Sequence, residues 1–241
     1  MPSELHIGSS SLIGALERYS ELLDLLEVST EANALPPPKR LKKWRESVGD
    51  EFHFSVVLPR SLSSLPATGA EAELEAALEA ARALQATWLV LRTLPSVTPT
   101  DRSRRRLREL FEKLQGAAPR LAWEPRGLWT PEDAEACADG LGVTLVRDLA
   151  QADAPESPIA YTRLRSLGQQ SRIGQGAIER VAERLEDVEV AFVVVEGRGA
   201  PGVARRLRAE LGIEDQRGLG EDEDEDEGEG DEGDEDENDD E

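Results

Sequence analysis

The sequence predicts an α/β fold: a compact TIM-type (β/α)8 barrel followed by a disordered acidic C-terminal tail. Three observations carry this expectation. Short apolar runs rich in Val, Leu and Ile alternate with segments of helical periodicity over residues 5–211. Strands that alternate with helices pair in parallel through right-handed crossovers, and eight such units in about 210 residues fit a closed barrel. The last 21 residues, 221–241, hold 17 Asp or Glu, three Gly and one Asn, so they have no apolar side chain to bury.

The elements follow in order. Residues 5–8 form a short strand, and residues 13–24 place Leu16, Tyr19, Leu22 and Leu23 at helical spacing. Residues 25–28 turn extended. Pro36, Pro37 and Pro38 give a rigid entry to a helix that runs through Leu41 and Trp44 to about Val48, where Gly49 and Asp50 end it. Residues 52–58 (FHFSVVL) are a strong strand closed by Pro59. An Ala/Leu/Glu helix over residues 71–84 leads to a strand at 88–91. Thr100 and Asp101 cap a helix that reaches Leu114. Residues 121–123 are a strand, 131–138 a helix, 143–146 a strand and 159–164 another. Between these last two strands the helix is missing or reduced to residues 151–158. A helix at 176–185, the very apolar strand at 188–195 and a helix at 201–211, closed by Gly212, complete the body. An open doubly wound sheet is the structural alternative, but no Gly-x-Gly-x-x-Gly follows the first strand.

Composition bounds the function. The full chain carries a net charge of -22, yet without the tail 28 Lys+Arg face 33 Asp+Glu, so the body is only -5. The expected division is therefore a barrel domain at 1–212 and a linker with an acidic tail at 213–241. The body has 24 Arg and four Lys. The single cysteine, Cys137, excludes an internal disulfide and a cysteine-based metal cluster. No signal-peptide progression opens the sequence and no apolar run approaches the length that spans a bilayer, so a cytoplasmic protein without a membrane partner is expected.

In a barrel of parallel strands, ligands bind where the C-terminal strand ends converge. The strand ends carry Glu27, Arg60, Arg92, Glu124, Arg126, Arg147, Asp148, Arg163, Arg165 and Glu196. The stretch Leu-Ala-Trp-Glu-Pro-Arg-Gly-Leu-Trp at 121–129 concentrates a carboxylate, a guanidinium and two indoles around one such turn. Half-buried arginines need carboxylate partners, so a mutually paired ring is the plainer arrangement. A pocket for an anion is the functional one, because guanidinium forks match phosphate and carboxylate. Acid–base work by Glu27 with Glu124 is compatible with the same placement but not required by any spacing.

Other residues carry less. His6 and His53 lie inside strands, far apart in sequence, and read as core or barrel-wall side chains rather than metal ligands. Cys137 sits among Ala134, Ala136 and Ala138 and reads as a packed, inert thiol. Residues 102–108 (RSRRRLR) read as the solvated face of a helix whose buried stripe is Leu107, Leu110, Phe111 and Leu114; binding of nucleic acid there is disfavoured.

Several pieces stand in an order that resembles a known family. They are Ile7-Gly8-Ser9-Ser10; Leu26-Glu27-Val28 ahead of Leu35-Pro36-Pro37-Pro38; Trp44; and Phe54-Ser55-Val56 with Pro59-Arg60. Arg92-Thr93 with Ser96-Val97-Thr98-Pro99-Thr100, Trp123-Glu124-Pro125-Arg126 with Trp129, and Tyr161-x-Arg163-Leu164 continue the series. The chain resembles the YecE-like family, domain of unknown function 72, over residues 5–211. The resemblance implies a TIM-type barrel and a rim that keeps Arg60, Glu124, Arg126 and Arg163. It also marks departures. Ser11-Leu12 stands where relatives carry Gly-Trp, and residues 29–33 replace an Asn-Ser-Thr-Phe-Tyr-like run. Val57 replaces a lysine, Arg165 a histidine, and Glu196-Gly197 asparagines. The family's activity is not established, so the resemblance supplies a fold and a rim but no reaction.

Two functions are compatible with these features. In the first, the protein is a non-catalytic or degenerate barrel whose arginine-rich rim binds a small anion through Glu27, Arg60, Arg92, Arg126, Arg163 and Arg165. In the second, it is an enzyme on a small phosphorylated or carboxylated substrate, with Glu124 as acid or base and Arg60, Arg126 and Arg163 on the anion. Neither reading calls for a cofactor or a metal. The tail serves solubility in the plainest reading; it is also a polyanion able to contact a basic partner or the chain's own rim.

Overall fold

Among the described residues, fifteen regular elements follow one another in the order β1 (Glu4–Ser9), α1 (Leu16–Leu22), β2 (Leu25–Ser29), α2 (Pro38–Glu46), β3 (His53–Val57), α3 (Glu71–Leu84), β4 (Trp88–Arg92) and α4 (Asp101–Leu114). The chain continues with β5 (Arg120–Glu124), α5 (Pro131–Leu141), β6 (Thr144–Arg147), β7 (Ile159–Leu164), α6 (Gln175–Arg184), β8 (Val190–Val195) and α7 (Ala200–Glu210). This computed structural model describes residues 1–12, 14–29, 35–165, 173–197 and 199–213. The acidic tail and most of the segment after Ser29 lie outside the described residues.

The eight strands close into one parallel barrel in sequence order. Closure is made by β1 and β8, which pair over six residues from Glu4↔Val190 to Ser9↔Val195. Local signals set the helices. The Thr100 hydroxyl accepts from Ser103 N–H at the start of α4, and the Thr130 hydroxyl accepts from Asp133 N–H at the start of α5. Gly142, at φ +66°, ends α5 in the left-handed region. The expected gap between β6 and β7 is real among the described residues. Leu149 and Ala150 bury themselves there. Arg184 and Arg180 of α6 donate to their carbonyls at 2.7 and 3.0 Å, so two guanidiniums and a turn stand in for a crossover helix.

Strand side chains alternate between two cores. Leu25, Val57, Trp88, Val90, Ala122, Val146, Tyr161, Phe192 and Val194 fill the barrel interior. Their neighbours in sequence, such as Leu26, Val56, Leu89, Leu91, Trp123, Ala160 and Val195, face the helices. The interior is packed rather than hollow: the Trp88 ring meets Tyr161 at 5.1 Å and Phe192 at 5.3 Å.

The β1–β2 seam is unusual. These strands pair over only two residues, Gly8↔Leu25 and Ser9↔Leu26. The Tyr19 hydroxyl sits in the seam, accepting from Ser9 N–H and donating to Leu25 C=O, both at 2.7 Å. Below it, Asp24 accepts from Ile7 N–H at 2.5 Å and pairs with Arg208 of α7 at 3.3 Å, tying the last helix to the first β–α unit. Among the described residues, no helix is long and apolar enough to cross a membrane.

Candidate functional site: an ion-paired barrel mouth

The inward positions of the strands decide which charges meet. Tyr161, an interior residue of β7, places Arg163 on the same face two residues later. By the same alternation Glu27 follows Leu25, Arg92 follows Val90, Glu124 follows Ala122 and Glu196 follows Val194. All five side chains therefore rise into the C-terminal mouth, where Arg126 and Arg165 join them from the loops.

Arg163 is the centre of the network, with a side chain 1% exposed. Its two terminal nitrogens grip Glu27 in a fork, Nη1 to Oε1 at 2.6 Å and Nη2 to Oε2 at 2.5 Å. Its Nε donates to Glu124 Oε2 at 2.9 Å. The Tyr161 hydroxyl adds a bond to Glu27 Oε2 at 2.8 Å. Arg92 Nε approaches Glu124 Oε2 at 3.1 Å, while the other Glu124 oxygen accepts from Arg165 and lies 3.7 Å from Arg126 Nε. Glu196 completes the ring: Arg165 Nε is 3.2 Å from its Oε2, and Arg92 Nη2 and Arg163 Nη1 are 3.5 and 3.6 Å from its Oε1. Among the described residues, four guanidiniums thus meet three carboxylates.

The electrostatics follow from this packing. Burial alone would raise the Glu124 carboxyl, but Arg163, Arg92, Arg165 and Arg126 outweigh it and hold the group below the usual carboxylate value. Burial likewise opposes the charge on Arg163, and Glu27 and Glu124 overcome it, so its pKa lies well above the usual value. Burial, reinforced by the negative Glu27, pushes the Tyr161 hydroxyl well up, so it stays a donor.

Six of the seven residues proposed from sequence thus come together: Glu27, Arg92, Glu124, Arg126, Arg163 and Arg165. Arg60 follows β3 at the same end of the barrel but is exposed, with no carboxylate within 4.0 Å among the described residues. Arg147 and Asp148, placed on the rim by their position at a strand end, do not join the network. Arg147 shares the outward face of β6 with Leu145 and pairs with Glu135 of α5. Asp148 accepts from Ala150 N–H at 3.1 Å and Gln151 Nε2 at 2.7 Å, capping a turn. The two indoles of the 121–129 stretch are not mouth residues either. Trp123 faces the helices and meets Trp129 edge-on at 4.8 Å. Trp129 donates to Val97 C=O at 2.6 Å and lies under the guanidinium of Arg104, which also pairs with Asp133. These rings fasten one loop to the next. Gly127, at φ +89°, allows that approach, since a Cβ there would lie 2.5 Å from Pro95 O. Tyr161 was missed as a site residue; its place two residues before Arg163 was the available signal.

A profile of the family described as "Protein of unknown function DUF72" matches residues 10–227. The chain belongs to the DUF72 family. Among solved structures, a DUF72 family protein from Enterococcus faecalis V583 is similar with a TM-score of 0.71 at 15% identity, covering 88% of this chain and 99% of that one. A DUF72 family protein from Thermotoga maritima MSB8 gives a TM-score of 0.63 at 15% identity, over 87% and 99% of the two chains. A xylose isomerase domain containing protein from Salmonella typhimurium LT2 gives 0.59 at 12% identity, over 87% and 93%. At these identities the likeness is one of fold. A comparison with curated proteins gives no match.

The opposite end of this DUF72 barrel holds a cluster that sequence separation concealed. β1 and β3 both flank β2, so His6 and His53 come together with ring centroids 4.1 Å apart, and Phe192 lies 4.7 Å from His6. His53 Nδ1 is 2.8 Å from the Thr87 hydroxyl. Burial first, and then the neighbouring His6, lower the His53 pKa from 6.5 to about 4; Asp24 and Glu4 oppose this and Arg45 adds to it. The unfolded chain takes up the proton as pH falls below 6.5, while the folded chain resists until about 4. Stability from this group is therefore complete above 6.5 and is lost across that window. Melting curves of the wild type and His53→Gln between pH 7 and 4.5 are expected to diverge, the wild type losing more. Parallel curves would remove His53 as the cause. Among the described residues no His, Cys, Asp and Glu cluster is suited to a metal ion. Cys137 is buried on α5, and burial pushes its thiol up, away from reactivity.

Proposed function

We propose that this DUF72 protein is a non-catalytic barrel whose mouth binds a small anion. One observation carries the reading: both oxygens of Glu124, the carboxylate best placed for chemistry, are occupied by guanidiniums of Arg92, Arg126, Arg163 and Arg165. A general acid near neutral pH needs a raised carboxyl pKa, and a general base needs a free lone pair aimed at substrate. Glu124 has its pKa lowered and its lone pairs engaged. The half-exposure of Arg126 and Arg165 instead supports the approach of an anion from solvent. Arg60, exposed on the same end, adds a further cation.

Titrating small phosphorylated and carboxylated compounds while following thermal stability tests this. Binding raises the midpoint by mass action, and Arg126→Ala with Arg165→Ala is expected to abolish the rise. Turnover of any bound compound that disappears in Glu124→Gln would instead establish the enzymatic alternative, with Glu124 as acid or base.

A further inference from the structure

The three carboxylates of the mouth are not equivalent. Glu27 and Glu124 have side chains 0% and 5% exposed and accept bonds of 2.5–2.9 Å from Arg163, whose charge they neutralise in the interior. Glu196 is 30% exposed, and its three guanidinium contacts are longer, 3.2–3.6 Å. Its main chain is anchored, since its N–H donates to Leu164 C=O at 3.0 Å, and Gly197 follows it at φ +99°. The side chain alone can therefore leave without disturbing the barrel. When it leaves, Arg92, Arg163 and Arg165 lose a carboxylate that they share, and the vacated position is lined by their three guanidiniums. The group that this position accommodates is a carboxylate, because it holds one.

We propose that Glu196 occupies, as a built-in competitor, a seat for the carboxylate group of a small ligand, formed by Arg92, Arg163 and Arg165. This rests on the anion-binding reading above and names its ligand class. A tethered carboxylate acts at an effective concentration of mM or more. The apparent affinity of an incoming ligand falls by the fraction of time the seat is vacant. Removing the competitor should therefore strengthen binding, the opposite of what deleting an ordinary contact residue does.

The test uses the full chain and two probes, acetate and inorganic phosphate, at ionic strength matched with chloride. Calorimetric titration of Glu196→Ala is expected to give acetate at least tenfold tighter than the wild type, with a smaller gain for phosphate. Adding Arg165→Ala to that variant should remove the gain. Glu196→Gln, which keeps the shape and loses the charge, should show a smaller gain of the same sign and serves if the alanine variant folds poorly. If the wild type binds acetate and Glu196→Ala binds it no better, the seat is disproved while the anion-binding reading stands. A larger gain for phosphate than for acetate overturns the carboxylate assignment. If no variant binds either probe, both the seat and the anion-binding reading fall.

Discussion

Arg163→Met is expected to destabilise the fold by about 3–5 kcal/mol, the usual cost of removing one partner from a buried ion pair. Methionine fills a similar volume, so the loss is electrostatic rather than a cavity. It leaves Glu27, buried at the base of the mouth, with the Tyr161 hydroxyl as its remaining hydrogen-bond donor among the described residues, and deprives Glu124 of its closest Nε donor. The stranded carboxylate would relieve part of the cost by taking up a proton, so the deficit should shrink as pH falls. Glu27→Gln combined with Arg163→Met should recover part of the loss, because the amide no longer needs a counter-charge. Urea unfolding of the wild type, the two single variants and the double variant gives the coupling directly. Additive losses, or a single-variant cost below about 1 kcal/mol, would mean that the fork between Arg163 and Glu27 contributes little.

Gly8→Ala is expected to cost more than the ~3 kcal/mol at the upper end of ordinary overpacking. A Cβ at this position would stand 1.7 Å from the carbonyl oxygen of Leu25 and 2.4 Å from its carbonyl carbon. Both are backbone atoms of the paired strand, so no side-chain rotation relieves the clash. The seam has little to spare, because β1 and β2 share two register pairs and depend on the Tyr19 hydroxyl between Ser9 and Leu25. Separating the strands would break both bonds of that hydroxyl and strand it in the core. Expression yield and melting temperature check this. A loss below about 1 kcal/mol would mean that β1 can move away from Leu25 without opening the barrel.

The barrel itself was legible because its signals are local. The periodicity that predicts a helix over residues 71–84 and a strand over 159–164 acts within a few residues, and α3 and β7 have those bounds. Thr100 and Thr130 announce α4 and α5 through bonds to residues three positions on. The missing crossover between β6 and β7 was legible for the same reason, as a stretch without apolar period. Strand ends were less well marked, and this put Arg147 and Asp148 on the rim with the others. Arg147 and Arg163 both end strands in the sequence, yet one faces α5 and the other the barrel interior, because inward and outward alternate with every residue.

The sequence by itself determined the eight strands and seven helices seen among the described residues, and the charges at the strand ends. These depend on side-chain identity and on neighbours a few positions away. Only the tertiary structure decided that the charges neutralise one another. Glu27 and Arg163 are 136 positions apart, and Arg92 and Glu196 are 104 apart. They meet because β8 closes on β1 and gives every strand a fixed register. A guanidinium's charge is fixed by its chemistry; whether it remains available to a ligand depends on which carboxylate ring closure brings beside it.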